Sequence, residues 1–332
     1  QEQTYTRKAL QKIVEDTSFQ NGLLLSSKVL LNSMFRYMKS DAGKLSSKEQ
    51  KTEQGVIKYL SRASAKTSPY STLCDLGIGR YKKNKDIISV LSNKNDIKVK
   101  SNIRLNIRCF EYLLSLLKKN KNISTFFPLR INPTIQKNPQ QYLFLTNSLN
   151  IEAFQRLGLH PVLEIIEDII RRHRTKGISY IKLFELLKED VEADDEMLRS
   201  YIDKLISVGF LEYYIAVSGM DVDWDIKFSE WLINIGSQQN EQIIKLIDTL
   251  KIIRALTKSY EEAKTPKERE EILNQIFNTY RKICLELHIA ADLPETERVS
   301  FEDNPQQALK DQNGNQAKKD ENETTKAEEI GR

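Results

Sequence analysis

The apolar residues of this chain recur with a helical period over most of its length. Over residues 20–40 they cover a broad face, which predicts a buried helix. The same spacing predicts further helices at 5–17, 53–62, 110–117, 224–235, 239–258 and 265–287. The last three of these predict a helical C-terminal part.

Two parts of the chain depart from the helical period. Between Leu76 and Ile107, short β-type runs alternate with Asn- and Lys-rich turns, which predicts antiparallel strands. Two further strands are predicted at 126–133 and 141–145, with residues 134–139 as the turn of a hairpin. The predicted fold class is therefore α+β, with mixed helices and an antiparallel sheet.

Residues 151–217 form the clearest predicted unit. Helices at 161–173, 180–188 and 194–207 are followed by a strand at 210–215, which is the layout of a winged helix-turn-helix. The boundaries are marked by Pro161 at a first helical position, Ser179 as an N-cap and Gly209 as a helix stop.

A winged helix can bind DNA or a peptide, and it can be purely structural. A recognition helix at 194–207 would begin with three acids, Asp194, Asp195 and Glu196, which suits DNA phosphates poorly. The favoured interpretation is an extended peptide that adds to the sheet edge at 210–217. The candidate peptide-binding residues are Phe210, Leu211, Tyr213 and Tyr214.

The predicted organisation has four parts. An N-terminal α+β part covers residues 1–150, the winged helix 151–217 and a helical part 218–303. Residues 304–332 contain few large apolar side chains, so a disordered tail is predicted there.

Composition adds a basic but otherwise ordinary profile. The formal net charge is +5 and 29% of the residues are charged, which permits a polyanionic partner without requiring one. Basic residues cluster in the strand-rich region, where they could together face an RNA backbone. The candidate tRNA-binding residues are Lys82, Lys83, Lys85, Lys118, Lys119 and Lys121.

Several other function classes find little support. The three cysteines have no CxxC spacing, which is typical of unpaired thiols in a reducing compartment and predicts a cytoplasmic protein. No apolar run is long enough for a membrane span. The three histidines lack ligand spacing to the cysteines, and phosphate-binding glycine motifs are missing, so neither a metal nor a cofactor is expected.

One stretch combines features of an anion site. Arg62 and Lys66 lie four residues apart, and therefore on one face if the helix continues. The hydroxyl-rich turn Thr67-Ser68-Pro69-Tyr70-Ser71-Thr72 follows. We call this stretch the anion corner.

With these elements in order, the chain resembles the N-terminal, glutamylating region of the lantibiotic (class I lanthipeptide) dehydratases. Residues 10–31 resemble the opening helices of the family. Arg62, Lys66 and Thr67-Ser68-Pro69-Tyr70 are similar to its R-xxx-R-x-T-P-[FY]-G motif. Weaker similarities lie at Arg104-Leu105-Asn106 (R-[LP]-D), Arg130-Ile131-Asn132-Pro133 (R-x-N-P), the winged helix, and Phe301-Glu302-Asp303.

The resemblance implies a reaction and partners. Members of the family use glutamyl-tRNA as co-substrate to glutamylate Ser and Thr of a precursor peptide, whose leader the winged helix recognises. An elimination domain or subunit then removes glutamate, and a homodimer is possible. Arg62 and Lys66 would bind tRNA phosphate or the glutamyl group, Ser68 would orient it, and Asp303 would be a supporting carboxylate.

This chain departs from the family motifs at four positions. Lys66 stands in place of arginine, which changes a bidentate fork to a point charge. Ser68, Ser71 and Asn106 stand in place of threonine, glycine and an acid. The chain is expected to be a fragment of a larger enzyme, a split subunit or a degenerate relative. The alternatives are a catalytically incomplete peptide-binding module and a winged-helix DNA-binding protein.

Overall fold

The computed structural model describes residues 2–65, 103–148, 151–173, 177–236 and 240–292. The contacts divide the chain into two compact units. The first unit holds the described residues up to 106 together with 253–281. The second holds the described residues of 107–252 together with those from 282 to 292.

Most described residues lie in helices. The helices are α1 (Glu2–Ile13), α2 (Thr17–Ser26), α3 (Lys28–Tyr37), α4 (Ser47–Ala65), α5 (Ile107–Lys119), α6 (Lys121–Ser124), α7 (Pro161–Arg172), α8 (Tyr180–Asp190), α9 (Asp195–Ser207), α10 (Trp224–Asn234), α11 (Glu241–Glu262) and α12 (Pro266–Ala290). None of them, within the described ranges, has an apolar stretch that could cross a bilayer.

The strands form two small antiparallel sheets in the second unit. They are β1 (Pro128–Ile131), β2 (Gln136–Lys137), β3 (Gln141–Ser148), β4 (Ile151–Gly158), β5 (Ile178–Ser179) and β6 (Leu211–Tyr213). One sheet has the order β5-β1-β6 and the other β2-β3-β4. The described fold is thus α+β with mixed helices and antiparallel sheets, as predicted.

The first unit packs around apolar side chains of α1 to α4. Its core includes Leu23, Met34, Tyr37 and Val56, all shielded from solvent. The helix predicted over 20–40 is two helices. Ser27 separates them, since its N–H donates to the Leu23 carbonyl (2.7 Å) and its hydroxyl caps α3.

A hydrophobic core of the second unit lies beneath both sheets. Strands β1 and β3 contribute Leu129, Tyr142 and Phe144, and α7 to α9 contribute their apolar stripes. The predicted helices over 161–173, 180–188 and 194–207 are confirmed to within a few residues. The Ser179 side chain caps α8, as predicted, and the Asp194 side chain, predicted as the first helical residue, caps α9.

Strand β4 is an element that the sequence interpretation lacks. It pairs with β3 over its whole length, from Gln141↔Gly158 to Ser148↔Ile151. This hairpin crosses residue 150, where a domain boundary is predicted. The four predicted parts of the chain stay predictions.

Replacing Asp194 by alanine should destabilise the second unit by about 1 kcal/mol. Its carboxylate accepts a hydrogen bond from the Met197 N–H (2.7 Å), which otherwise has no partner inside the helix. Thermal unfolding of Asp194→Ala against Asp194→Asn, which keeps an acceptor, isolates the cap. Glu196→Ala controls for the loss of an acid from the first turn of α9. An unfolding temperature for Asp194→Ala equal to that of Asp194→Asn would contradict the capping role.

Candidate functional site

Arg62 lies in the last turn of α4 and is exposed. Within the described ranges it has neither an ion pair nor a side-chain hydrogen bond. An exposed guanidinium at the end of a helix can reach an external anion, and the role of this residue stays a prediction.

Helix α4 is fixed by a buried polar cluster nine residues before Arg62. Glu53 pairs with Arg7 of α1 at 3.0 Å and accepts a hydrogen bond from the Tyr37 hydroxyl at 3.3 Å. Both ion-pair partners are less than one-sixth exposed. Burial and then Glu53 raise the pKa of Tyr37 to about 12, so the phenol stays a neutral donor at physiological pH.

Close packing also fixes the position of α4 against α3. A Cβ at Gly55 would lie 2.9 Å from Leu30 Cδ1, so these two helices approach as closely as a glycine permits. The polar cluster and this contact hold the helix that carries Arg62 in place.

The other residues of the predicted anion site lie outside the described ranges. These are Lys66, Ser68 and Asp303, together with Lys82, Lys83 and Lys85 of the predicted tRNA-binding set. Their roles stay predictions.

The three described lysines of the tRNA-binding set lie where α5 ends and α6 begins. Lys121 pairs with Asp203 of α9 (2.6 Å). Burial lowers the pKa of Lys118, and the charge of Glu212 opposes that shift. Lys119 is exposed. Two of these cations are therefore already close to acids of the second unit, which limits the charge they offer to an RNA backbone.

The predicted peptide-binding residues lie in and beside β6, at the edge of its sheet. The side chains of Phe210 and Leu211 are buried in the core, 0% and 1% exposed, so neither is available to a peptide. Tyr213 and Tyr214 are partly exposed. Tyr213 packs edge-on against Phe127, with ring centroids 5.8 Å apart. These residues could contact a peptide through the backbone or through the two tyrosine rings.

The hydrogen-bond register of β6 shows which of its backbone groups face outward. Asn132 N–H donates to Phe210 O and Tyr214 N–H to Pro128 O, so the even-numbered residues of β6 face β1. The N–H and C=O groups of Leu211 and Tyr213 point away from β1. This edge offers two residues for pairing.

Strand β4 offers a longer edge. The N–H of Leu159 donates to Gln140 O, and the register then directs Ala153, Gln155 and Leu157 toward β3. The N–H and C=O groups of Glu152, Phe154 and Arg156 therefore point away from the sheet. Among the described residues none of these groups has a backbone partner. We call these three residues the β4 edge.

Residues 152–156 of β4 are exposed, on both faces of the sheet. Phe154 is 73% exposed on the outer face. Ala153 and Gln155 lie opposite Thr146 and Phe144 and so share their face, yet both are exposed. The core covers β3 on this face and extends to Leu157 near the end of β4, but leaves Ala153 and Gln155 uncovered.

Helix α9 lies along the same face of the hairpin. The ring of Tyr201 lies 6.3 Å from that of His160, just beyond the end of β4. At the other end, Gly209 has a φ of +79°, and a Cβ there would meet Thr146 Cγ2 at 2.6 Å. The exposed Ala153 and Gln155 therefore lie on the same face of the hairpin as α9, next to the β4 edge, and we call this exposed surface the shelf.

The sequence contains only a weak signal for this edge. Its strand, IEAFQRLG, shows no clean alternation of apolar and polar residues, and Leu149-Asn150 is not a strong hairpin turn. The indication in the sequence is a phenylalanine in the short run that follows the strand predicted at 141–145.

Comparisons with known proteins place these features in a family. The family model described as "Lantibiotic dehydratase, N terminus" matches residues 15–301. A search of curated protein sequences gave no match.

Solved structures share the fold. The glutamylation domain TbtB from thiomuracin biosynthesis superposes with a TM-score of 0.57 at 19% identity. The same domain bound to 5'-phosphodesmethylglutamycin gives 0.60 at 18%. The tRNA-dependent lantibiotic dehydratase MibB from Microbispora sp. 107891 gives 0.55 at 12%.

These similarities cover most of this chain and a minor part of the others. They span 83% of this chain in each case, 32% of the TbtB chain and 26% of the MibB chain. The family match extends through both units. The chain belongs to the lantibiotic dehydratase family, whose N-terminal region it represents.

Proposed function

We propose that this chain is part of a cytoplasmic lantibiotic-type dehydratase. The enzyme would use glutamyl-tRNA to glutamylate Ser and Thr of a ribosomally made precursor peptide, and an elimination domain or subunit would then form the dehydroamino acids. The single observation that carries the peptide-binding part of this proposal is the β4 edge, with its three outward-facing residues.

An extended peptide can add to this edge as a further strand. Glu152, Phe154 and Arg156 alternate along β4, which is the spacing at which an incoming strand exchanges hydrogen bonds. Alternate side chains of the peptide would face the exposed Phe154 and the shelf beside α9. In this proposal β4, α7, β5, α8, α9 and β6 act as the winged helix that recognises the leader.

The β4 edge is favoured over the β6 edge on two grounds. It is longer, since β4 has eight residues and β6 has three. Its flanking side chains are also free to contact a ligand, whereas Leu211 is buried. The β6 edge remains the alternative site, and the two are separable by mutation.

The anion corner would serve the transfer step. The glutamyl group passes from its ester with the tRNA to a Ser or Thr hydroxyl, which forms a new ester and releases the tRNA hydroxyl. Charge that develops on oxygen during this transfer is stabilised by fixed cations. Arg62 is exposed at the end of an anchored helix and would bind the glutamyl group or a tRNA phosphate. Lys66, Ser68 and Asp303 keep the roles that the resemblance implies.

A peptide-binding module without chemistry is the second candidate. Its support is that the β4 edge lies wholly within this chain, which spans only a third or less of the related structures. DNA binding is disfavoured, because α9 begins with acids and its Arg199 is stacked on Phe184, 4.0 Å from the ring centroid.

Mass spectrometry of the precursor peptide tests the proposal. The protein containing this chain is incubated with the peptide and with glutamyl-tRNA, and the expected product carries added glutamyl units. Binding of the leader without any glutamyl addition would favour the module, and absence of both would overturn the proposal. Omission of the tRNA is the control.

A further inference from the structure

The position of β4 depends on β3. The two strands pair from Gln141↔Gly158 to Ser148↔Ile151, and no strand of the described ranges pairs with the other edge of β4. A peptide strand binds more tightly to an edge that is already fixed, because ordering a movable edge would cost free energy on binding. The groups that fix β3 therefore also fix the β4 edge.

The first such group is Asn132, which is 3% exposed and lies just after β1. Its side-chain amide donates to Leu145 O and to Gly209 O, both at 2.9 Å. Its Oδ1 accepts from the Thr134 hydroxyl (2.6 Å), and the Leu145 N–H donates to the same hydroxyl oxygen (2.9 Å). Asn132 thus joins β3 to β1 and to the turn that follows α9.

The second group is Tyr142, near the other end of β3 and fully buried. Its hydroxyl donates to Glu167 Oε2 of α7 (2.7 Å). Glu167 is also buried and pairs with Arg171, and Lys137 Nζ lies 3.7 Å from the same oxygen. Burial acts to raise the pKa of Glu167, but Tyr142 and the two cations outweigh it and lower that pKa, so the carboxylate stays charged.

These two contacts are directional. Burying the Glu167 carboxylate has a high desolvation cost, and an apolar pair of similar volume in place of Tyr142 and Glu167 could stabilise the fold equally well. Hydrogen bonds, in contrast, set the distance and orientation of the strand against its support. Asn132 and Tyr142 hold β3 at two points, about three residues apart on opposite sides of Phe144.

We propose that Asn132 and Tyr142 are positioning residues that hold the β4 edge in its peptide-binding place. This inference rests on the proposed function. It also gives a physical role to Asn132 of the R-x-N-P segment. Neither residue would touch the peptide.

The test is binding of a fluorescein-labelled synthetic leader of the precursor peptide to the full protein. Measurements are made well below the unfolding temperature. Tyr142→Phe and Thr134→Val, which each remove hydroxyl bonds and keep the size of the side chain, should weaken binding about tenfold. Asn132→Asp should weaken it at least as much where it folds.

Phe228→Leu is the matched control. Phe228 is fully buried in α10 and packs on Phe110, so this variant lowers stability without touching β3. Its Kd should equal that of the parent protein. A Kd for Tyr142→Phe and Thr134→Val within twofold of the parent, despite lower unfolding temperatures, would overturn the inference. A parent protein that fails to bind the leader would instead overturn the proposed function.

Discussion

Replacing Phe154 by proline is expected to weaken leader binding by at least about tenfold, beyond the effect of Phe154→Ala. Proline removes the N–H that points away from β3 and places its ring where an incoming strand would lie. The fold should survive, because proline is tolerated on an edge strand where the N–H faces outward. Fluorescence anisotropy with labelled leader peptide gives the two dissociation constants.

The comparison with Phe154→Ala separates backbone from side chain. Alanine keeps the N–H and loses only the contact area of the exposed ring, so part of the affinity should remain. Circular dichroism and the unfolding temperature verify that both variants stay folded. Equal affinities of the proline and alanine variants would exclude strand addition at β4.

The same pair of substitutions at Tyr213 tests the β6 edge. Tyr213 N–H also points outward, so Tyr213→Pro should lose binding relative to Tyr213→Ala if the peptide adds to β6. We expect no such difference. A loss at Tyr213 without one at Phe154 would move the peptide to the edge first predicted from the sequence.

The sequence predicted those elements whose ends carry local signals. Helix α7 begins at Pro161, and α8 and α9 begin directly after Ser179 and Asp194. The proline ring and the two capping side chains act on the backbone within a few residues of their own position. The break at Ser27 was missed, because apolar residues continue on both sides of it and a single serine serves as cap for both helices.

Long-range pairing could not be predicted in the same way. Strand β1 pairs with β5 and β6, about fifty and eighty residues later, and no local pattern encodes that choice. For the same reason the sequence does not show which of the clustered lysines pair with acidic residues. The partner of Lys121 is Asp203, which lies far away in the sequence and adjacent in the fold.

The two parts of the candidate site, Arg62 and the β4 edge, differ in the same way. Arg62 was predicted from its spacing and from the family motif, and it is exposed as an anion-binding residue requires. The β4 edge follows only from the hydrogen-bond register, because the pairing of β4 with β3 decides which N–H and C=O groups point outward. Side-chain pattern carries no information about that alternation when both faces are exposed.

Replacing Arg62 by alanine in the complete protein is expected to abolish glutamylation, a loss of about a hundredfold or more. The exposed guanidinium would supply fixed positive charge where the glutamyl ester or a tRNA phosphate lies, and water cannot replace that charge at the moment of transfer. Stability should change little, because Arg62 makes no ion pair within the described ranges. The measurement is the number of glutamyl units on the precursor after a fixed time, by mass spectrometry.

Two variants make this test specific. Lys48→Ala removes the same charge from the first turn of α4, about 20 Å away along the helix, and should leave the rate unchanged. Arg62→Lys keeps the charge and loses the bidentate fork, so it should retain part of the activity. Leader binding should be equal in Arg62→Ala, Arg62→Lys and Lys48→Ala, because the β4 edge is intact in each. If the Arg62→Ala protein still adds glutamate at the parental rate, the anion corner is not the transfer site, and the peptide edge alone would support the non-catalytic module.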